Sequence, residues 1–158
     1  KVGGNYAASL LSSKIAHEKG FAAAIYLDPK EKKYIDESGP ANFFGIKNNT
    51  YITPASRSIL PSITNKSLME LAQDLGMKVE RRPVPLEELG EFEEAGACGT
   101  AAVISPIKSI VDPDTQKIYV YCKDDKPGPV CTRLYEQLTA IQFGEIPDRF
   151  GWTRIIDL

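Results

Sequence analysis

The sequence predicts a mixed α/β fold in a single domain covering residues 1–158. Three observations lead there. Segments 5–19, 65–75 and 129–143 carry apolar residues at helical spacing. Short β-rich runs alternate with them. No repeat, low-complexity stretch or linker divides the chain.

The bulk properties narrow the function. Apolar content of 42% and charged content of 25% are those of an ordinary globular protein with a real core. A net charge of -2 draws in neither nucleic acid nor an anionic membrane, so neither partner is expected. No apolar run approaches the roughly 18–20 residues that span a bilayer. Cys98, Cys122 and Cys131 are odd in number and form no CxxC. That argues against a disulfide framework and a zinc site, and fits a reducing cytoplasm. His17 is the one histidine, so no metal is expected.

The elements follow in order. In NYAASLLSSKIAHEK (5–19), Ala8, Leu11 and Ile15 share a face, and Gly20 stops the helix. FAAAIYLD (21–28) reads as a short buried strand closed by Asp28-Pro29. After the charged turn KEKK, extended structure restarts at Tyr34-Ile35. FFGI (43–46), Lys47-Asn48-Asn49 and TYIT (50–53) form a hairpin. Helix 65–75 has Thr64 as its N-cap, Leu68, Leu71, Ala72 and Leu75 inward, and Gly76 as its stop. MKVERRPV (77–84) is a strand that Pro83 confines to an edge or an end. LEELGEFEEA (86–95) is an acidic connection or helical turn, and TAAVISPIKSIV (100–111) and KIYVY (117–121) are β-rich. The last helix starts at Pro129 and turns Val130, Leu134, Leu138 and Ile141 inward before Gly144.

Four stretches can carry chemistry. In KVGGNY, glycines beside Lys1 let a backbone or cofactor come close, and a lysine can form a Schiff base with a carbonyl. The plain alternative is a solvated surface lysine. In YIDESGPANFF, Asp36 and Glu37 point to opposite faces of a regular strand, so one of them faces inward and needs a cationic partner. A pyridinium nitrogen is such a partner; the alternative is a solvated turn. LPSITNKSL feeds a helix N-terminus, which either binds an anion or is simply capped. ACGTAA offers backbone amides and a hydroxyl, or a plain β-turn. Together these are what an aldehyde cofactor with a phosphate tail requires.

These stretches resemble the branched-chain amino acid aminotransferases, fold-type IV enzymes that use pyridoxal 5′-phosphate. KVGGNYAAS resembles their lysine motif, and YIDESGPANFFGI the strand that presents their cofactor glutamate. ILPSITNKSLMELAQDLG is similar to their LPG[IV]TR helix start, EEAGACGTAAVISPIKSI to their SGTA segment, and YEQLTAIQFGEIPDRFGWT to their C-terminal helix and tail. The match runs nearly the whole chain, in the family's order. It implies the large, C-terminal domain of that architecture, with mixed strands in a barrel-like sheet surrounded by helices. The family's N-terminal small domain would lie outside this sequence, leaving the fragment alone inactive.

Residue by residue, the resemblance implies that Lys1 holds the cofactor and shuttles the proton. Tyr6 hydrogen-bonds the phenolic oxygen. Glu37, rather than Asp36, pairs with the ring nitrogen. Leu60 packs on the ring. The amides of Ile63 and Thr64 and the hydroxyl of Thr100 bind phosphate, and the backbone of Thr100 and Ala101 meets the substrate carboxylate. The implied reaction is transamination of leucine, isoleucine or valine with 2-oxoglutarate, in a homodimer. The alternatives are a D-amino acid aminotransferase or aminodeoxychorismate lyase of the same fold, or a non-catalytic isolated domain. Ser62 and Asn65 depart from the usual glycine and arginine of LPGITR, and Pro40-Ala41 departs from the family's residues before the asparagine. Ala102 and Ser105 stand where mammalian relatives carry a CxxC pair, so no redox switch of that kind is expected.

Overall fold

The N-terminal helical segment is broken rather than continuous. The computed structural model describes residues 3–156. It begins with α1 (Gly3–Tyr6), a 3₁₀ turn (Ala7–Ser9) and α2 (Leu10–Glu18). At the break, the Ser9 and Ser12 hydroxyls donate to the carbonyls of Tyr6 and Ser9, both at 2.9 Å. Such local bonds compete with a regular helix. The apolar stripe of Ala8, Leu11 and Ile15 is not in the core: all three are exposed, as is Leu10, and Ala16 is the buried residue of α2. Gly20 stops the helix as expected, at a φ of +82°.

The strand expected over 21–28 shortens to β1 (Ile25–Leu27) and is half-buried. It is the outer strand of its sheet, so one edge has no partner among the described residues. The charged turn after it is organised by Asp28. Its carboxylate accepts from the amides of Glu31, Lys33 and Tyr34 at 2.7–2.9 Å. The Tyr34 and Glu31 amides pull its pKa down to about 2.

The centre of the sheet is made by two tight turns. β2 (Ile35–Ser38) and β3 (Ala41–Lys47) are joined by Gly39-Pro40, with Gly39 at a φ of +56°. β3 and β4 (Thr50–Pro54) are joined by Asn48 and Asn49, at +48° and +55°. Two consecutive positive φ values are those of a type I′ turn, which suits the strand twist. From β4 the chain crosses through α3 (Ile63–Asp74) to β5 (Lys78–Arg82), which runs parallel to β4 at the sheet edge. The edge placement is the one Pro83 predicts. A 3₁₀ turn (Leu86–Glu91) resolves the acidic connection, and β6 (Glu94–Gly99) returns antiparallel along β3. β7 (Val103–Pro106) pairs with β6. β8 (Ser109–Val111) and β9 (Ile118–Val120) form a separate hairpin, and α4 (Pro129–Gln142) follows.

Among the described residues, seven strands thus make one mixed sheet. Ile35 and Leu86 amides bond to the carbonyls of Val84 and Lys33, drawing the chain after β5 along the start of β2. The contact is a single bridge, Tyr34 to Pro85, so among the described residues the sheet does not close into a barrel. One face packs on α3 and α4 through Phe44, Tyr51, Leu68, Leu71, Leu134 and Leu138. The other carries Ile35, Phe43, Ile52, Val84, Leu89 and Tyr121. The C-terminal tail stacks Phe150 on Trp152, with centroids 4.1 Å apart, against the first cluster.

Two buried carboxylates, Glu94 and Glu88, have hydrogen-bond partners. Glu94 is buried, and its carboxylate accepts from the amides of Val130 and Cys131 at 2.9 and 2.8 Å, capping α4 from β6. Gly128 makes the approach possible, since a Cβ there would lie 2.0 Å from Glu94 Cδ. Arg82 binds Glu88 through both terminal nitrogens, at 2.8 and 2.6 Å, and Glu80 through Nε. The bidentate Arg82 contact holds the Glu88 carboxyl below its ordinary value of 4.5.

Glu94→Ala removes both acceptors from buried amides and should cost about 1–3 kcal/mol by chemical denaturation, with Glu94→Gln losing less. Because the folded-state pKa of Glu88 is depressed, its contribution is present above the ordinary carboxyl value and lost as pH falls through the folded value. Stability measured between pH 6 and pH 3 should therefore decline less steeply in Glu88→Gln than in the unsubstituted protein.

Candidate active site

Glu37 and Asn42 are direct cross-strand partners in β2 and β3, so their side chains leave the sheet on one face. The opposite-face reading of Asp36 and Glu37 assumes a regular strand, and the strand is not regular. Tyr26 pairs with Glu37 while Leu27 pairs with Ile35, which leaves Asp36 as the extra residue of a β-bulge. Bulges re-aim side chains. Asp36 is buried and Glu37 is half-buried. The two partners grip one residue of the β4–α3 connection: Asn42 Nδ2 donates to the Leu60 carbonyl at 3.0 Å, and the Leu60 amide donates to Glu37 Oε1 at 3.4 Å. The same carbonyl accepts from the Ser62 amide at 2.8 Å, turning the chain tightly through Pro61 into α3.

The cap of α3 is Ser62, not Thr64. Ser62 is extended, with φ -61° and ψ 133°, and its hydroxyl accepts from the Asn65 amide at 3.1 Å. Thr64 is already the second helical residue. Helix geometry leaves the amides of Ile63 and Thr64 without an intrahelical acceptor. They carry the positive end of a three-turn dipole. Lys66 and Arg81 line the cleft beside them, together with Asn42, Leu60 and Ser62. Leu60 and Ile63 are 58% and 74% exposed, and Leu60 forms an apolar lip on the cleft, which Ile59 and Met69 also line.

β6 runs antiparallel to β3 with Cys98 opposite Asn42. Its end, and the turn holding Thr100 and Ala101, therefore lie at the same end of the sheet. Thr100 and Ala101 are exposed. The turn closes on Val103 at a φ of +58°, a conformation that costs a β-branched residue about 1–3 kcal/mol. Cys98, just before it, is buried, and burial pushes its thiol up to about 12. That thiol is a packing group rather than a nucleophile.

On the other side, Tyr26 stands opposite Glu37, and its hydroxyl shares a hydrogen bond with Ser12 Oγ at 2.8 Å. The Ser12 and Ser9 hydroxyls continue back to the carbonyls of Ser9 and Tyr6. Tyr6 is thereby tied to β1, the strand that pairs with the one carrying Glu37. Lys1 lies outside the described residues.

The structure therefore brings Glu37, Leu60, Ile63, Thr64, Thr100 and Ala101 to one end of the sheet, with Tyr6 linked to it through α2. Such an arrangement can take an anion at the start of α3 and a cationic or N–H group at Glu37. Among the described residues, no group of three His, Cys, Asp or Glu side chains is placed to hold a metal ion. Asn42, Lys66 and Arg81 are not among the residues to which the sequence motifs point. Asn42 had a signal: a polar residue beside two core aromatics on a hairpin strand needs a buried partner. Lys66 and Arg81 had none, since a lone charge reads as solvated surface. A wider hollow at the tail, lined by Ile141, Ile146, Pro147 and Ile155, contains none of these groups.

Comparison with known proteins adds an independent line. The family model for amino-transferase class IV matches residues 1–110. A branched-chain-amino-acid aminotransferase of Haemophilus influenzae is 53% identical over 96% of this chain and 46% of its own length. The crystal structure of the Escherichia coli branched-chain amino acid aminotransferase superposes with a TM-score of 0.81 at 34% identity, over 95% of this chain and 47% of that one. A T.th. branched-chain amino acid aminotransferase with pyridoxamine 5′-phosphate gives 0.80 at 31% identity, over 96% and 47%. The chain thus spans about half the length of the relatives it matches. With a family model covering more than half of its residues, the chain belongs to the class IV amino-transferases.

Proposed function

We propose that this chain is the cofactor-binding large domain of a branched-chain amino acid aminotransferase that uses pyridoxal 5′-phosphate. The observation that carries the reading is the convergence of a carboxylate (Glu37), an amide-rich helix start (Ile63, Thr64) and an amide- and hydroxyl-bearing turn (Thr100, Ala101) at one end of the sheet. The donor set fits the cofactor. The α3 start and Thr100 suit its phosphate, Glu37 suits a protonated ring nitrogen, and the apolar lip of Leu60 suits the ring. The H. influenzae relative and the pyridoxamine 5′-phosphate complex support the same assignment.

When bound, the cofactor draws electron density from the substrate α-carbon. The protein groups make that possible. In this reading Glu37 keeps the ring nitrogen protonated, and Lys1 anchors the cofactor and carries the proton to and from the substrate carbon. Tyr6 donates to the phenolic oxygen. Ile63, Thr64 and Thr100 hold the phosphate, and the Thr100–Ala101 backbone receives the substrate carboxylate. The substrates are branched-chain L-amino acids and 2-oxo acids. We place the remaining half of the protein, the small domain, outside this sequence, and the assembly as a homodimer in the cytoplasm. Three free thiols, two of them buried, fit a reducing compartment. No described helix is long and apolar enough to cross a membrane.

Borohydride treatment of the loaded full-length protein should fix the cofactor to Lys1, as read by peptide mapping, and Lys1→Ala should abolish both the label and the visible absorbance. A label on another lysine would refute the assignment. Glu37→Gln should lower kcat roughly 100-fold while the fold is retained, the size expected for removing one preorganised electrostatic contact. In an amino-donor panel, L-leucine, L-isoleucine and L-valine should be preferred; preference for a D-amino acid would favour the alternative activity in the same fold.

A further inference from the structure

Tyr51 lies fully buried in β4, between the two turns that the functional reading places around the phosphate. Its hydroxyl donates to Asn65 Oδ1 at 2.7 Å. Asn65 Nδ2 donates in turn to Thr53 Oγ1 at 3.0 Å, and the Thr53 hydroxyl donates to the Phe43 carbonyl at 2.9 Å. Asn65 belongs to the first turn of α3, and its amide is held by the Ser62 cap. The Tyr51 hydroxyl also lies beside the thiol of Cys98, two residues before Thr100.

The donors and acceptors leave one consistent arrangement. A tyrosine hydroxyl donating to Oδ1 sets which way the Asn65 amide points, and that sets Nδ2 on Thr53. The Thr53 hydroxyl, already accepting, then donates to Phe43. Asn65 is 5% exposed, and Thr53 and Tyr51 are 0% exposed, so none of these bonds is exchanged with water. A satisfied buried network of this kind specifies position more than it adds stability.

We propose that Tyr51, Asn65 and Thr53 form a positioning brace that sets the first amides of α3 against the Thr100 turn, so that both grip the phosphate of one ligand. Tyr51 and Thr53 are fully buried and touch no ligand. The proposal rests on the functional reading above.

The test compares pyridoxal 5′-phosphate with pyridoxal, which lacks the phosphate, by titrating the cofactor-free full-length protein. Tyr51→Phe removes one oxygen and keeps the ring. It should weaken pyridoxal 5′-phosphate about 10-fold, the effect of one net hydrogen bond, leave pyridoxal within about twofold, and shift the ³¹P resonance of the bound cofactor. Thr53→Val should show the same selective loss, and it carries the test if Tyr51→Phe does not fold. Equal losses for both ligands would mean a general structural role and overturn the brace, as would unchanged affinity for both. If the unsubstituted protein binds the two ligands equally well, the phosphate cradle itself fails, and the functional reading with it.

Discussion

The Phe44 ring lies in the space that a side chain at position 96 would fill. A Cβ on Gly96 would sit 2.4 Å from Phe44 Cζ. Gly96 and Phe44 are direct partners across β6 and β3, so the register of the two strands and the seat of the ring depend on each other. The ring then stacks on Tyr51 at 4.8 Å. Burying two such aromatics stabilises the face by roughly 2–3 kcal/mol each. Their more specific effect is geometric. The same register puts Cys98 opposite Asn42, and so carries the Thr100 turn to the end of the sheet where Glu37 and the start of α3 already meet. A slip of one residue would turn Asn42 to the opposite face and separate the two turns.

Around that fixed centre, the candidate site is assembled from short-range devices. Ser62 ends the connection from β4 and starts α3. Asn42 and Glu37 hold the Leu60 backbone by its carbonyl and its amide. Gly39-Pro40 turns β2 into β3 in two residues, which is why Glu37 and Asn42 become partners at all. The residues that hold these positions are mostly buried, while those expected to meet a ligand (Leu60, Ile63, Thr100, Ala101) are exposed. Rigid support beneath and accessible groups above is the division a binding site requires.

Much of this is legible in the residues. The 43–53 hairpin, helices 65–75 and 129–143 and the edge placement of 77–84 follow from period, capping and turn chemistry, all of which are local. What the residues do not give is set by distant contacts. The stripe of Leu11 and Ile15 is genuinely apolar, but nothing among the described residues covers it. The strand at 21–28 is apolar too, yet its outer position leaves it short. The bulge at Asp36 has no composition signal, so alternation does not say which carboxylate turns to the site; that comes from family likeness. Threonine caps well, which makes Thr64 the expected cap, but Ser62, two residues earlier, reaches the Asn65 amide instead. Asn42, Lys66 and Arg81 gain a place only once β3, α3 and β5 are brought together.

The central claim is that one end of this sheet is a cradle for a pyridine ring with a phosphate tail. A crystal structure of the full-length protein with pyridoxal 5′-phosphate bound tests it most directly. The account predicts the phosphate on the amides of Ile63 and Thr64 and the hydroxyl of Thr100, with the ring nitrogen on Glu37. A cofactor whose ring nitrogen faces away from Glu37, or whose phosphate lies off the start of α3, would contradict it.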